Sequence, residues 1–435
     1  MKYHRISKEL YIRNRKKFVA QMEPKSVAIF NSNDIYPVSA DATLPFAQHR
    51  DILYLSGVDQ EESILVIFPN AFNENHREIL LLRETNEHIA VWEGEKLTKT
   101  AAYETSGIKT VYWTHEWDKI MKTVFNDADK IYINTNEHTR ANTEVETRED
   151  RFIKKLQANY PAHQYRKSAP IMHRLRSVKE DIELALMQEA CNITEKGFRR
   201  ILNVLKPGVM EYELEAEFSH EFLRNRSKGF AYTPIIASGA SACVLHYIEN
   251  NKACKDGDAL LLDVAAEYAN YSSDLTRSVP VNGKFTKRQR AVYDAVLRVK
   301  IAAEKMLVPG TMMNEYHKEV GNLMEAELVG LKLLDKNDIA KQSADWPAYK
   351  KYFMHGTSHF LGLDTHDVGL WTEPIKAGMV FTCEPGIYIP AESLGIRIED
   401  NLVVREKGGP LNLMANIPIE AEEIEELINA KKVMA

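Results

Sequence analysis

Cysteine is scarce in this 435-residue chain: Cys191, Cys243, Cys254 and Cys383 are all of it, and no two stand in a CxxC spacing. This excludes a zinc ribbon and a dense disulfide framework, and it fits reduced thiols in a cytoplasm. Long apolar runs are missing too. None approaches the ~18 residues of a membrane span, and the opening "MKYHRISKELYIRNRKKF" is charged throughout, without the apolar core of a signal segment. The first third carries no GxGxxG or GxxxxGKS/T loop, so nucleotide binding by that part has no motif behind it. The net charge is -6 and the Lys and Arg residues are scattered, which argues against nucleic acid and anionic membrane as partners. The expectation is a cytoplasmic protein.

The length predicts two domains. In the first third, short apolar runs ("SVAIF", "DILYLSGV", "SILVIFP", "EILLLR", "KIYINTN") alternate with helix-compatible polar stretches, the pattern of an α/β domain. The segment "NYPAHQYRKSAPIMHRLRS" reads as a connection between domains. Beyond it, Ser177 and Glu180 form an S-x-x-E capping box for a helix whose face of Ile182, Leu186, Ala190, Ile193 and Ile201 runs until Pro207-Gly208. The acidic stretch from Glu180 to Glu189 reads as a solvated face of that helix.

The remainder repeats itself. "ILNVLKPGVMEYELEAEF" and "AEKMLVPGTMMNEYHKEV" are both helix, Pro-Gly break, helix, and "GDALLLD" matches "GMVFTCE" as glycine, buried strand, carboxylate. A carboxylate ending an apolar strand is costly unless compensated. In "LLDVAAEYANYSSDLTRSVP" a hairpin centred between Tyr268 and Ala269 sets Asp263 opposite Asp274, and Glu384 and Glu399 flank a similar loop later on. If the halves face each other, four carboxylates converge, and two divalent cations cancel them charge for charge. Histidine is the usual companion ligand, and "MHGTSHFLGLDTHD" offers His355, His359 and His366. His355 and His359 share a face, while His366 needs the turn at Gly362; spacing does not choose among them. Taken singly, Asp274 reads as a turn residue, His246 as a core or surface histidine, and Arg397 as a cross-strand partner of Glu399. "SHEFLRN" and "HEWDK" lack the second histidine of an HExxH site.

Together, "IIASGASACVLHY", "LLDVAAEYANYSSDLTRSVP", "HGTSHFLGLDTHD", "VFTCEPGIYIP" and "GIRIEDN" resemble the pita-bread metallopeptidases, the family of aminopeptidase P, prolidase and methionine aminopeptidase. "LPFAQHRDILYLSGVDQEES" resembles the signature of the creatinase-type N-terminal domain found in part of that family, departing from it at Ala47 and Leu53. The resemblance implies an α+β chain, with a creatinase-type α/β domain over residues 1–170 and a pita-bread catalytic domain with an internal pseudo-two-fold repeat over 171–435.

It further implies metal ligands at Asp263, Asp274, His359, Glu384 and Glu399. Substrate or transition-state roles follow for His246, His355 and His366, proton relay for Glu384, and hydrogen bonding to the site for Arg397. The implied activity is release of the first residue from peptides with proline second. The cofactor would be two divalent ions, manganese for such hard donors, with cobalt, zinc or iron fitting the same geometry. A homo-oligomer, dimer or tetramer, is implied as well. The alternatives are a prolidase cutting Xaa-Pro dipeptides, a metal-free creatinase-like hydrolase, and a peptide-binding module without catalysis.

Overall fold

The computed structural model describes residues 2–141, 144–343 and 345–430 and divides into two compact units, one spanning Arg5–Arg176 and the other comprising residues 2–4 and those from Ser177 onward. No helix among the described residues is long and apolar enough to cross a membrane.

In the N-terminal unit, helix α1 (Lys8–Val19) leads into strand β1 (Ser26–Asn31), followed by helix α2 (Arg50–Ser56) and strands β2 (Ile64–Ile67), β3 (Glu78–Leu82) and β4 (Thr110–Trp113). Helix α3 (Trp117–Asp127), strand β5 (Lys130–Ile133), helix α4 (Arg148–Asn159), strand β6 (Gln164–Lys167) and helix α5 (Ala169–Ser177) complete it. The mixed sheet has the order β4-β3-β2-β1-β5-β6, with β5 parallel to both of its neighbours. β1 is buried along its whole length because both faces are covered. Val27 and Ile29 pack with Ile120, Val124 and Phe125 of α3, while Phe30 meets Phe18 of α1 edge to face, 5.3 Å between centroids.

Two sequence readings change here. "DILYLS" is helix α2, not a strand; the His49 side chain accepts from Asp51 N–H at its start, and Gly57, at φ +70°, ends it. "NYPAHQYRKSAPIMHRLRS" is no bare connection, since it builds the edge strand β6 and helix α5.

The second unit begins with helices α6 (Asp181–Val204) and α7 (Glu211–Arg224). Strands β7 (Ile235–Ser238) and β8 (Ala259–Asp263) follow, then the hairpin β9 (Glu267–Tyr268) and β10 (Tyr271–Ser272), and β11 (Thr276–Pro280). Helices α8 (Lys287–Glu304) and α9 (Met313–Gly330) then precede strand β12 (Val380–Cys383), the hairpin β13 (Gly386–Ile389) and β14 (Leu394–Arg397), β15 (Asp400–Val403) and β16 (Leu411–Asn412). The sheets run β11-β8-β7 and β12-β15-β16.

The order helix pair, strand, hairpin, strand therefore occurs twice, as the sequence self-similarity predicts. Its punctuation repeats as well. Gly208 and Gly310 break the two helix pairs at φ +89° and +92°, and Gly257 and Gly378 lead into β8 and β12 at +83° and +85°. Only glycine takes such backbone without strain.

The expected opposition of Asp263 and Asp274 does not occur. Ala269 and Asn270 both adopt positive φ, a two-residue type I′ turn, so β8 and β11 pair with Asp263 opposite Thr276. That register avoids setting two like charges side by side. The Ser177 cap is also corrected: Ser177 is the last residue of α5, and α6 is capped by Glu180, whose N–H donates to Glu183 Oε2 at 2.9 Å. Nor is the acidic stretch a purely solvated face. Glu183 is buried, accepts from Tyr271 Oη at 3.0 Å, and is pushed up to about 7 by burial.

β11 and β15 are joined by a buried ionic cluster. Arg277 Nη2 meets Asp400 Oδ1 at 2.6 Å, Nη1 donates to the carbonyls of Glu399 and Thr276, Nε donates to that of Pro418, and Lys300 Nζ closes on the other Asp400 oxygen. Burial alone would raise Asp400, but the two cations hold its carboxyl below the usual range. Breaking such a pair from one side strands the other charge. Arg277→Met is expected to lower unfolding free energy by roughly 3–5 kcal/mol, measured by urea denaturation; a loss under about 1 kcal/mol would show that the cluster contributes little.

Candidate metal centre

Each carboxylate sits where a strand starts or stops, so the sheets fix its backbone. Asp263 ends β8, Glu384 follows β12, Glu399 precedes β15, and Asp274 lies two residues before β11. Asn401 brackets Asp274: its Oδ1 accepts Asp274 N–H at 3.0 Å and its Nδ2 donates to Asp274 O at 2.6 Å. The N–H of Glu399 donates to Thr276 O at 3.0 Å, and that of Glu384 to Thr357 O at 2.8 Å.

His359 enters the same space from an irregular segment. An isolated bridge between Phe360 and Phe381 and two hydrogen bonds with Thr382 tie that segment to β12. His359 Nδ1 lies 2.9 Å from Phe360 O, so Nδ1 donates to that carbonyl and Nε2 is turned toward the carboxylates. Nε2 stands 3.4 Å from Asp274 Oδ2 and 3.6 Å from Glu384 Oε1. Burial works against charge on His359, but Asp274 and Glu384 outweigh it and its pKa rises.

His355 is held differently. Its Nδ1 faces Gly356 O at 2.7 Å and its Nε2 faces Tyr388 Oη at 2.8 Å, and burial together with Arg397 pushes it down to about 3. It is therefore a neutral ring with both nitrogens engaged, a distinction that the spacing of the histidines left open. His366 is exposed and packs edge to face on His359, 4.4 Å between centroids. A buried ion pair of Lys179 with Asp367, 3.2 Å, ties down the residue after it. His246 is exposed, near enough to His355 to depress its basicity.

Arg397 does not pair with Glu399 across strands, as its isolated reading suggests. Nη2 binds Asp263 Oδ2, Nη1 donates to Tyr388 Oη at 2.7 Å, and Nε donates to Thr276 Oγ1 at 3.0 Å. Thr276 passes the contact on, donating to Glu399 Oε2 at 2.7 Å, and Tyr232 Oη donates to Asp263 Oδ1 at 2.6 Å. Sequence reasoning missed Tyr232, Thr276, Tyr388 and Asn401. Tyrosine and threonine are ordinary strand residues, and the only signal was that Thr276, Tyr388 and Asn401 lie inside segments already singled out.

The electrostatics call for a cation. Burial, reinforced by the mutual repulsion of the carboxylates, raises Asp263 and Glu399 above their ordinary range and brings Glu384 to about 7. Glu399 Oε1 is buried with no hydrogen-bond partner. Ligand atoms of Asp274, His359 and Glu399 lie within 4.8 Å of one another, close to the spread of roughly 4 Å expected of donors about 2.1 Å from one ion. Oxygen donors with one imidazole and an orphaned buried oxygen fit a divalent metal. Thr276→Val, nearly isosteric, removes the contact that orients Glu399, and metal affinity is expected to fall about 10- to 100-fold. Metal-dependent restoration of stability in stripped protein measures this; unchanged affinity would rule out the positioning role.

Buried carboxylates and an imidazole gathered at the ends of duplicated sheets define a metal-dependent hydrolytic site. Residues 185–406 match the model of Metallopeptidase family M24, and residues 11–132 that of the Aminopeptidase P, N-terminal domain. The chain belongs to metallopeptidase family M24. It is 35% identical to the Xaa-Pro aminopeptidase of Escherichia coli, over 98% of this chain and 99% of that one. It is 31% identical to human Xaa-Pro aminopeptidase 3, over 91% and 79%. Among solved structures, Zn-substituted Escherichia coli aminopeptidase P in complex with product superposes with a TM-score of 0.87 at 33% identity, covering 98% and 99% of the chains. Pseudomonas aeruginosa aminopeptidase PepP gives 0.88 at 32%, covering 99% of each. The α+β architecture is thus that of aminopeptidase P along the whole chain.

Proposed function

We propose that this chain is an Xaa-Pro metallo-aminopeptidase, which releases the first residue from peptides with proline in second place. The creatinase-type domain is assigned to residues 1–170 and the catalytic domain to 171–435. The observation that carries the reading is the convergence of Asp274, His359 and Glu399, whose ligand atoms lie within 4.8 Å of one another, with Glu399 Oε1 buried and unpartnered, in a chain similar over its full length to Xaa-Pro aminopeptidases. Asp263, Asp274, His359, Glu384 and Glu399 would hold two divalent cations, manganese by the hardness of the donors. When bound, the ions supply Lewis acidity that polarises the scissile carbonyl and lowers the pKa of water toward neutrality.

The chain's own groups do the rest. Glu384, beside His359 at the end of its strand, takes the proton of the attacking water and returns it to the departing proline nitrogen. Arg397 holds Asp263 and, through Thr276, orients Glu399. His366 donates toward the oxyanion as the tetrahedral intermediate forms, while His246 and the neutral His355 line the proline side. An Xaa-Pro bond has no N–H, so a site that does not require that donor admits it. The protein works as a homo-oligomer, a dimer or tetramer, in the cytoplasm.

The test is hydrolysis of Gly-Pro-Leu against Gly-Pro with manganese supplied. The tripeptide is expected to be cleaved after glycine with a kcat/KM at least about tenfold higher than the dipeptide. The reverse preference would make the protein a prolidase, and inertness toward both a peptide-binding module.

A further inference from the structure

A polar cavity of about 370 Å³ in the N-terminal unit takes no part in the chemistry above. It opens at the carboxyl ends of the parallel strands β1 and β5, through Asn31 and Asn134, against the first turn of α4, through Arg148 and Glu149. Open α/β sheets bind ligands outside the carboxyl ends of their strands, and the volume suits a small molecule.

Two groups of opposite charge line its wall without pairing with each other. Glu149 Oε2 accepts from Asn31 Nδ2 at 2.9 Å, but Oε1 is buried without a hydrogen-bond partner, and burial pushes the carboxyl up to about 7. Burial also lowers the pKa of Arg148, which feels Glu62, Asp34 and Glu149 only through space; no hydrogen bond or ion pair holds its guanidinium among the described residues. The other carboxylates on the wall are taken. Asp34 meets Arg151 Nη2 at 2.6 Å, and Asp150 closes the capping box of α4 with Thr147. A buried acceptor without a partner and a partly exposed guanidinium that no described residue pairs thus share a cavity. A plain anion would leave Glu149 opposed to it, and a plain cation would meet Arg148 and the positive end of α4.

We propose that this cavity binds a free α-amino acid as its zwitterion, the ammonium group on Glu149 and the carboxylate on the guanidinium of Arg148. The inference rests on the N-terminal unit alone and stands apart from the peptidase reading.

Isothermal titration of the full-length protein with each of the twenty amino acids tests it, together with the N-acetyl and amide derivatives of the tightest binder. At least one free amino acid is expected to bind. Its affinity should fall about tenfold or more when either charge is removed, in the derivatives and in Glu149→Gln and Arg148→Gln. Circular-dichroism melts check that both variants fold, and Asp274→Ala, altered in the other unit, should bind as the parent does. Several results would overturn the proposal: no binding of any amino acid at about 10 mM, equal binding of a derivative, full binding in both cavity variants, or loss of binding in Asp274→Ala.

Discussion

His359→Ala is expected to lower kcat/KM on Gly-Pro-Leu by about 10³-fold or more, some 4 kcal/mol of transition-state stabilisation. His359 aims its Nε2 among the carboxylates, because Phe360 O engages the other ring nitrogen. Alanine leaves four carboxylates that still attract cations but no longer complete the donor set. The loss should appear in kcat/KM with the fold intact, since the main-chain bonds of this segment to Thr382 do not involve the ring. Steady-state kinetics with metal content by mass spectrometry decides the matter. Activity within about tenfold of the parent, at unchanged metal content, would remove His359 from the centre.

The second large effect is on stability. Without a cation, the site gathers carboxyls whose folded pKa values lie above their ordinary ones: Glu384 at about 7, Asp263 and Glu399 raised as well, each chiefly through burial. A raised carboxyl binds its proton more tightly when folded. Its stabilising contribution is therefore complete below the ordinary carboxylate pKa and is lost as pH rises through the folded value. For Glu384 alone that is about 3 kcal/mol, disappearing between roughly pH 4.5 and 7. Chelator-treated protein should thus melt at progressively lower temperature across this range. Added divalent metal should raise Tm most at its upper end, by about 4 kcal/mol of stability at a thousand-fold excess over Kd. Scanning calorimetry with chelator and with manganese checks the sign. A metal-free Tm that rises or stays level across the window would mean that the carboxylates are not mutually destabilising.

Much of the architecture was legible because it follows from local rules. Gly257 and Gly378 mark the two turns into the carboxylate strands, and both take the positive φ that only glycine accepts freely. The Pro-Gly breaks mark the two helix pairs in the same way. Other readings failed where a neighbour overruled the local pattern. The S-x-x-E spacing sets the cap at Ser177, yet Ser177 ends α5 and the cap falls three residues later. Glu183 stands in an acidic stretch that reads as a solvated face, but it is buried and accepts from Tyr271, distant in sequence.

What the sequence determined by itself was composition-level exclusion, the duplicated order of elements, and the donors offered at strand ends, since each depends on residue type and on periodicity within one segment. Tertiary structure decided register, tautomer and connection. The turn at Ala269 and Asn270 set Asp263 against Thr276 rather than Asp274. Carbonyl and tyrosine contacts turned His359 Nε2 toward the carboxylates and engaged both nitrogens of His355 elsewhere. Arg397 reached Asp263 and Thr276 from more than a hundred residues away. A hydrogen bond depends on distances of a few tenths of an ångström between segments remote in the chain, and no pattern within either segment encodes that distance.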